Sequence, residues 1–271
     1  MIRILLKLAD FTKSVRYLAK RFELGSFIDR MNIDAMDRTE FAYSLYYSAQ
    51  QAKMLGYKSI SAIEFGVAGG SGLLLLEKYS LEIEKLLDIK IEVYGFDTAE
   101  GMPSALDYRD LPYIWEKGFF KMDFSKLSAK LKSAKLIIGN VEDTIDDFLI
   151  NNQPAPIAFI SFDLDYYSST VSAFRILKND EKYFLPRVFC FFDDCIGDDW
   201  ELHSEFSGEL LAINEFNNGF DDRKLGKIYG LRHKRAIYAP WNDELFILHL
   251  FKHPKYNILC NPKGNWQLPT V

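Results

Sequence analysis

Two acidic groups in this chain have the residue types for chemistry. Asp163-Leu164-Asp165 follows the apolar run 157–162, and Asp193-Asp194 follows the apolar run 188–192. Carboxylates held close together raise one another's pKa, so a cluster of four needs a compensating positive charge or a proton. A hard divalent ion such as Mg2+, with oxygen ligands and retained waters, meets that need. The alternatives are that one Asp caps a helix starting near Ser169, while another is protonated or solvated. Asp pairs also stand at 146–147, 198–199 and 221–222. A pair alone therefore says little; what distinguishes Asp193-Asp194 is the apolar strand that delivers it.

A second set suits an adenosine-type ligand. Residues 64–72 read Glu-Phe-Gly-Val-Ala-Gly-Gly-Ser-Gly between an apolar run and a helical stretch. Glycines there permit a tight strand-to-helix turn and let backbone N–H groups approach a ligand. The dinucleotide spacing G-x-G-x-x-G fails, since Leu75 takes its third glycine position. Glu64, just ahead of the turn, suits a positively charged ligand rather than a pyrophosphate. The next strand ends in Asp97, whose carboxylate can accept from both ribose hydroxyls or, alternatively, cap the turn. After the third strand, the Asn140 amide and the Val141 N–H are placed to read an adenine edge; Asn after Gly is equally an ordinary turn.

The elements that must hold these groups alternate. Strands are expected at 62–67, 91–96, 134–138, 157–162, 188–192, 226–231 and 245–251, with helices at 72–87, 143–151, 169–179 and 205–217. Near-continuous apolar strands separated by helices describe a parallel sheet covered on both faces, which binds ligands at the carboxyl ends of its strands. The last two strands lack a helical spacer and are expected to pair antiparallel. Residues 1–57 read as a helical extension ending in a helix at 38–55, with Gly56 as its stop. Residues 58–271 then form the main domain. Within it, 103–133 is an aromatic-rich insertion that is either a lid over the ligand edge or a packing element.

In order along the chain stand Gly66-x-x-Gly69-Gly70-Ser71, Gly95-Phe96-Asp97-Thr98-x-Glu100-Gly101-x-Pro103, Asp163-x-Asp165-x-Tyr167-x-Ser169-Thr170 and Asp193-Asp194. This series, over roughly residues 60 to 200, resembles the macrocin O-methyltransferase family of class I S-adenosylmethionine-dependent enzymes. The resemblance implies a Rossmann-like fold with a seven-stranded, mostly parallel sheet whose last strand is antiparallel. It implies S-adenosylmethionine bound by Glu64, Gly66, Ala68, Gly70, Ser71, Asp97, Thr98, Asn140, Val141 and Asp163. It implies Mg2+ on Asp163, Asp193 and Asp194, Asp165 as general base, and a sugar or natural-product hydroxyl as methyl acceptor. The family usually has an aromatic residue after the Asp pair, where this chain has Cys195.

On this reading the metal lowers the pKa of the attacking hydroxyl, Asp165 takes its proton, and oxygen, methyl carbon and sulfur are held in line. His203 is a second candidate base, or else a surface residue; His249 reads as structural. The rival readings are a metal-independent methyltransferase acting on nitrogen or carbon, an NAD-dependent oxidoreductase disfavoured by the broken glycine pattern, and a non-catalytic binding module.

The 271 residues carry a net charge of −5, which argues against nucleic acid as the main partner. One basic stretch, 223–235, is either a solvated strand edge or a site for an anion. Cys190, Cys195 and Cys260 form neither a disulfide set nor a zinc spacing, which suits a reducing, cytoplasmic setting. Near the start, Ile2, Leu5, Leu6 and Ala9 share a helical face interrupted by charges, so neither a signal peptide nor a membrane span is expected. The N-terminal helices offer a surface for homo-oligomer formation.

Overall fold

The computed structural model describes residues 2–261, with side chains from residue 12 onward. Seven strands form one sheet: β1 (Ser59–Phe65), β2 (Lys90–Asp97), β3 (Lys135–Ile138), β4 (Ile157–Phe162), β5 (Phe184–Phe192), β6 (Arg223–Lys227) and β7 (Leu245–Leu250). Their order is β3-β2-β1-β4-β5-β7-β6. Strands β1 to β5 run parallel, and β7 is antiparallel to both β5 and β6. The expected antiparallel closing pair is therefore present.

Three helices precede the sheet: α1 (Ile2–Arg21), α2 (Phe27–Asn32) and α3 (Thr39–Met54). The others described are α4 (Ser71–Leu87), α5 (Phe124–Ser128), α6 (Val141–Asn152), α7 (Tyr167–Ala173), α8 (Gly208–Gly219) and the short α9 (Leu231–Lys234). The face expected for Ile2, Leu5, Leu6 and Ala9 lies outside the described side chains. Among the described residues, no helix is long and apolar enough to cross a membrane.

Alternation along the strands sends apolar side chains to both sheet faces. Ile60, Ala62 and Phe159 pack with α3 and α4 through Phe41, Leu45, Leu73 and Leu76. Ile63, Ile160 and Val188 pack on the other side with α6 and α8 through Phe148, Ile213 and Phe216. Helix α3 thus belongs to the layer that covers the sheet. Its Ser48 hydroxyl donates to the Ala158 carbonyl at 2.7 Å, and its Gln51 amide to the Arg187 carbonyl at 2.7 Å. Gly56, with φ +80°, ends the helix as expected.

Some boundaries differ from expectation for local reasons. The sixth strand runs Arg223–Lys227 rather than 226–231, because Gly230 (φ +73°) turns the chain into α9. The helix expected at 169–179 stops at Ala173 and continues as a 3-10 turn, Ile176–Lys178. There the Asn179 side-chain amide donates to the Ile176 carbonyl at 3.0 Å. The basic stretch 223–235 is largely committed to internal partners. Arg223 is buried and donates to the carbonyls of Leu177 and Asn179, while Arg235 stacks between Tyr43 and Trp241. Lys227 and Arg232 pair with Asp243. His249 is held by the Tyr256 hydroxyl at 2.8 Å.

One row of rings sets the level of the ligand edge. Phe96, Phe65, Phe162, Phe192 and Phe246 lie side by side across β2, β1, β4, β5 and β7, with centroid separations of 4.8, 5.4, 4.8 and 5.1 Å. All five are buried, each contributing about 1.5–3 kcal/mol by removal from water. The next residue after the first four of these is Asp97, Gly66, Asp163 or Asp193. The apolar row anchors each strand end, and the polar group after it emerges at one common height.

Candidate active site

Strand order reverses between β1 and β4, the place where open α/β sheets bind ligands. The two strands touch closely there. The Asp163 N–H donates to the Phe65 carbonyl at 3.0 Å, and a Cβ on Gly66 would stand 1.7 Å from the Asp163 carbonyl oxygen. A cleft of about 890 Å³ opens above this crossing. Its walls include Glu64, Gly66, Ala68, Ser71, Asp97, Thr98, Asn140, Val141, Asp163, Asp165, Asp193 and Asp194. Twelve of the fourteen residues singled out from sequence therefore converge. Gly70 and His203 do not line the cleft: Gly70 (φ +83°) caps α4 and faces Leu127, and His203 lies behind Glu201.

On the β1–β2 side, Glu64 is 1% exposed and its Oε2 has no hydrogen-bond partner. Burial, reinforced by the charge of Asp163, pushes its pKa well above the usual carboxylate range, although Arg38 opposes the shift. A buried, unsatisfied carboxylate is costly, and a cationic ligand would relieve it. Gly72 is needed beside it, since a Cβ there would approach Glu64 Oε1 to 1.9 Å. Asp97 turns toward the glycine turn: Oδ2 accepts the N–H groups of Val67 at 3.0 Å and Ala68 at 2.8 Å, and Oδ1 accepts that of Ala99 at 2.6 Å. The capping role is filled, and the carboxylate still borders the cleft. Thr98 donates to the Gly101 carbonyl. Asn140 precedes α6 without capping it.

On the β4–β5 side the register places Phe162 opposite Phe192, so Asp163 and Asp193 emerge as neighbours. Between them lies the guanidinium of Arg38, donating from Nη2 to Asp163 Oδ2 at 3.1 Å and from Nη1 to Asp193 Oδ1 at 3.0 Å. Arg38 precedes α3 in a left-handed backbone conformation, φ +44° and ψ +59°, uncommon for a non-glycine residue. Nothing in the sequence ties it to residues more than 120 positions away. Asp194 turns inward: its Oδ2 accepts the Asp165 N–H at 2.8 Å, and its own N–H donates to Glu209 Oε2 at 3.1 Å.

The residues present do not fit the expected metal arrangement. Two of its three carboxylates hold a guanidinium, and the third is engaged by backbone. Among the described residues, no group of three or more His, Cys, Asp or Glu side chains is arranged to hold a metal ion.

Asp165 also has a left-handed backbone, φ +57°. Burial, with the charges of Asp163, Asp193 and Glu201, raises its pKa to about 8. Burial and Asp193 likewise raise Asp163 to about 7, against the pull of Arg38. A carboxyl group tuned near neutrality suits proton transfer.

The segment 103–133 reaches the cleft through Pro103, Leu106, Trp115 and Phe120. It is fastened by Asp110, which accepts the Ser168 N–H at 2.8 Å and the Leu106 N–H at 2.8 Å. Tyr113 reaches across to the Glu201 carbonyl at 2.7 Å. Glu201 lines the cleft and accepts from His203 Nε2 at 3.1 Å. Arg38, Asp110 and Glu201 were not legible as site residues, since each is a lone charged residue outside the strand ends.

No family model and no curated protein sequence matches the chain. Solved structures do. The calicheamicin methyltransferase CalS11 superposes with a TM-score of 0.55 at 19% identity, over 89% of this chain and 91% of that one. The O-methyltransferase NovP gives 0.51 at 14% identity, over 77% of this chain and 78% of that one. With the strand order and the antiparallel β7, these likenesses establish a Rossmann-like class I methyltransferase fold.

Proposed function

We propose that this chain is an S-adenosylmethionine-dependent methyltransferase that acts on a hydroxyl group of a sugar or a natural-product-like small molecule. The reading is carried by the pairing, in one cleft, of the buried and unpartnered Glu64 with the raised-pKa carboxyl of Asp165. Glu64 supplies negative charge on the side where a cationic cofactor would sit. The turn held by Asp97 brings Gly66 and Ala68 to the same wall, and Asn140 and Val141 offer an amide and an N–H for the base. The named activities of CalS11 and NovP agree with this direction.

The cofactor supplies a methyl group on a sulfonium, activated for displacement. The chain supplies the rest. Asp165 accepts the proton of the acceptor hydroxyl as the new C–O bond forms and the C–S bond breaks, its electron pair returning to sulfur. Trp115 and Phe120 on the 103–133 segment border the acceptor side, where they restrict water and offer flat surfaces to a sugar or ring. Alignment of the reacting oxygen is then the main catalytic contribution.

Calorimetric titration with S-adenosylhomocysteine tests the cofactor half, and transfer of a labelled methyl group to a panel of glycosides tests the acceptor half. Absence of S-adenosylhomocysteine binding would overturn the proposal.

A further inference from the structure

The guanidinium between Asp163 and Asp193 occupies the place where a shared divalent ion was expected. Arg38, Asp163 and Asp193 all line the cleft, with side chains 27%, 21% and 39% exposed, so the bridge forms part of its wall. Among the described residues, no other Lys, Arg or His forms an ion pair with Asp163, Asp165, Asp193 or Asp194. The carboxyl groups of Glu40, Glu64 and Glu244 also lie within electrostatic reach of Arg38. A cluster of this kind needs a compensating positive charge or protons, and Arg38 is the cation that meets it.

Arg38 is also held from behind. The segment before it is tied to distant parts of the chain at separate points. Trp241 Nε1 donates to Asp34 Oδ1 at 3.0 Å, and Arg16 donates to Asp34 Oδ2 at 2.7 Å. Arg235 donates to the Met31 carbonyl at 2.6 Å, and the Tyr79 hydroxyl to the Asp37 carbonyl at 2.5 Å. The Arg38 carbonyl itself starts α3 by accepting the Phe41 N–H at 3.0 Å, and its guanidinium lies 5.2 Å from the Phe41 ring centroid. These bonds make the left-handed turn at Arg38 part of the fold.

We propose that the Arg38 guanidinium is the resident cation of the strand-end carboxylates, so that the methyl transfer inferred above, on which this rests, proceeds without a divalent metal ion. A guanidinium keeps its charge at any physiological pH and spans two carboxylates with a planar fork, which a point charge cannot do. It fixes the Asp163 and Asp193 side chains at the cleft wall beside Asp165, and Arg38 thereby acts as a positioning residue for the base. A metal could enter only by displacing it.

The test is Mn2+ binding to the full chain, followed by electron paramagnetic resonance and calorimetry with S-adenosylhomocysteine present. Wild type should show no stoichiometric Mn2+ site, and methyl transfer should continue at the same rate in EDTA. Arg38→Ala, checked for folding by its melting curve, should bind Mn2+ on the order of 100-fold more tightly, since it frees two adjacent carboxylates. Arg38→Lys, a point charge that cannot bridge both carboxylates, should restore only part of the exclusion. A tight Mn2+ site in wild type, or turnover abolished by EDTA and restored by Mg2+, would overturn the inference even if Arg38→Ala fails to fold. Failure of the methyltransferase reading is distinguishable, because it appears as absent S-adenosylhomocysteine binding while the Mn2+ comparison can still be made.

Discussion

The Asp97 carboxylate at the end of β2 accepts the backbone N–H of Ala68 at 2.8 Å, and Ala68 is held there with φ +46°. The same oxygen takes the Val67 N–H at 3.0 Å. One side chain thus fixes the turn after β1 in a shape that a non-glycine residue seldom adopts unaided. Asp97→Ala should weaken S-adenosylhomocysteine binding by at least about tenfold and lower the melting temperature by several degrees. Loss of hydrogen bonds to a charged acceptor costs about 1.5–3 kcal/mol. Calorimetric titration with a parallel melting curve measures both; unchanged affinity would separate the turn from the ligand.

Gly66 makes a sharper case. Its φ is +84°, and a Cβ would stand 1.7 Å from a backbone oxygen of Asp163 that no rotamer change can move. Gly66→Ala should destabilise the chain by about 3–5 kcal/mol through strain and overpacking at the β1–β4 crossing. A denaturant melt of the variant, expected to lose its midpoint by a wide margin, checks this.

Asp165→Asn should lower kcat by roughly 100-fold to 10,000-fold, the usual contribution of a positioned base. Affinity for S-adenosylhomocysteine should stay nearly constant, because Asp165 stands on the acceptor side. Single-turnover rates beside a binding isotherm separate the two effects. A variant that turns over like wild type would move the base elsewhere, with Glu201 as the next carboxylate on the wall.

Glu77 supports the fold away from the cleft. It is buried on α4 and accepts the N–H groups of Lys132, Ser133 and Ala134 at 2.6–2.9 Å, fastening the chain ahead of β3. Burial disfavours its charge, yet the N–H donors of Ala134, Ser133 and Lys132 outweigh it, and its pKa is lowered from 4.5. A carboxylate lowered in the folded state stabilises it above the unfolded pKa, and that stability is lost as pH falls through the folded value. Glu77→Gln should therefore melt about 5 °C lower at pH 7, with the gap narrowing below pH 4.5. Melting curves across pH 3–7 would show the convergence; a constant gap would mean that the loss is packing rather than charge.

How far the sequence could be read depends on the range of the forces involved. Strand positions and the parallel sheet follow from apolar runs punctuated by helical stretches, a pattern local to each element. Residues directly after those runs, Gly66, Asp97, Asp163 and Asp193, were legible for the same reason, since each is pinned by the Phe before it. Element ends were less so: Ala173, where α7 stops, is set by hydrogen bonds from Asn179 and neighbouring turns.

The chain by itself determined that carboxylates arrive together at one sheet edge, because periodicity and register leave them nowhere else to go. Which cation they meet was decided only by tertiary structure. Arg38 comes from a turn before α3, more than 120 residues from Asp163, and reaches it because that turn is tied to Trp241, Arg235 and Tyr79. Coulomb attraction acts through space and leaves no spacing in the sequence, so a compensating charge can come from any element that packs close enough.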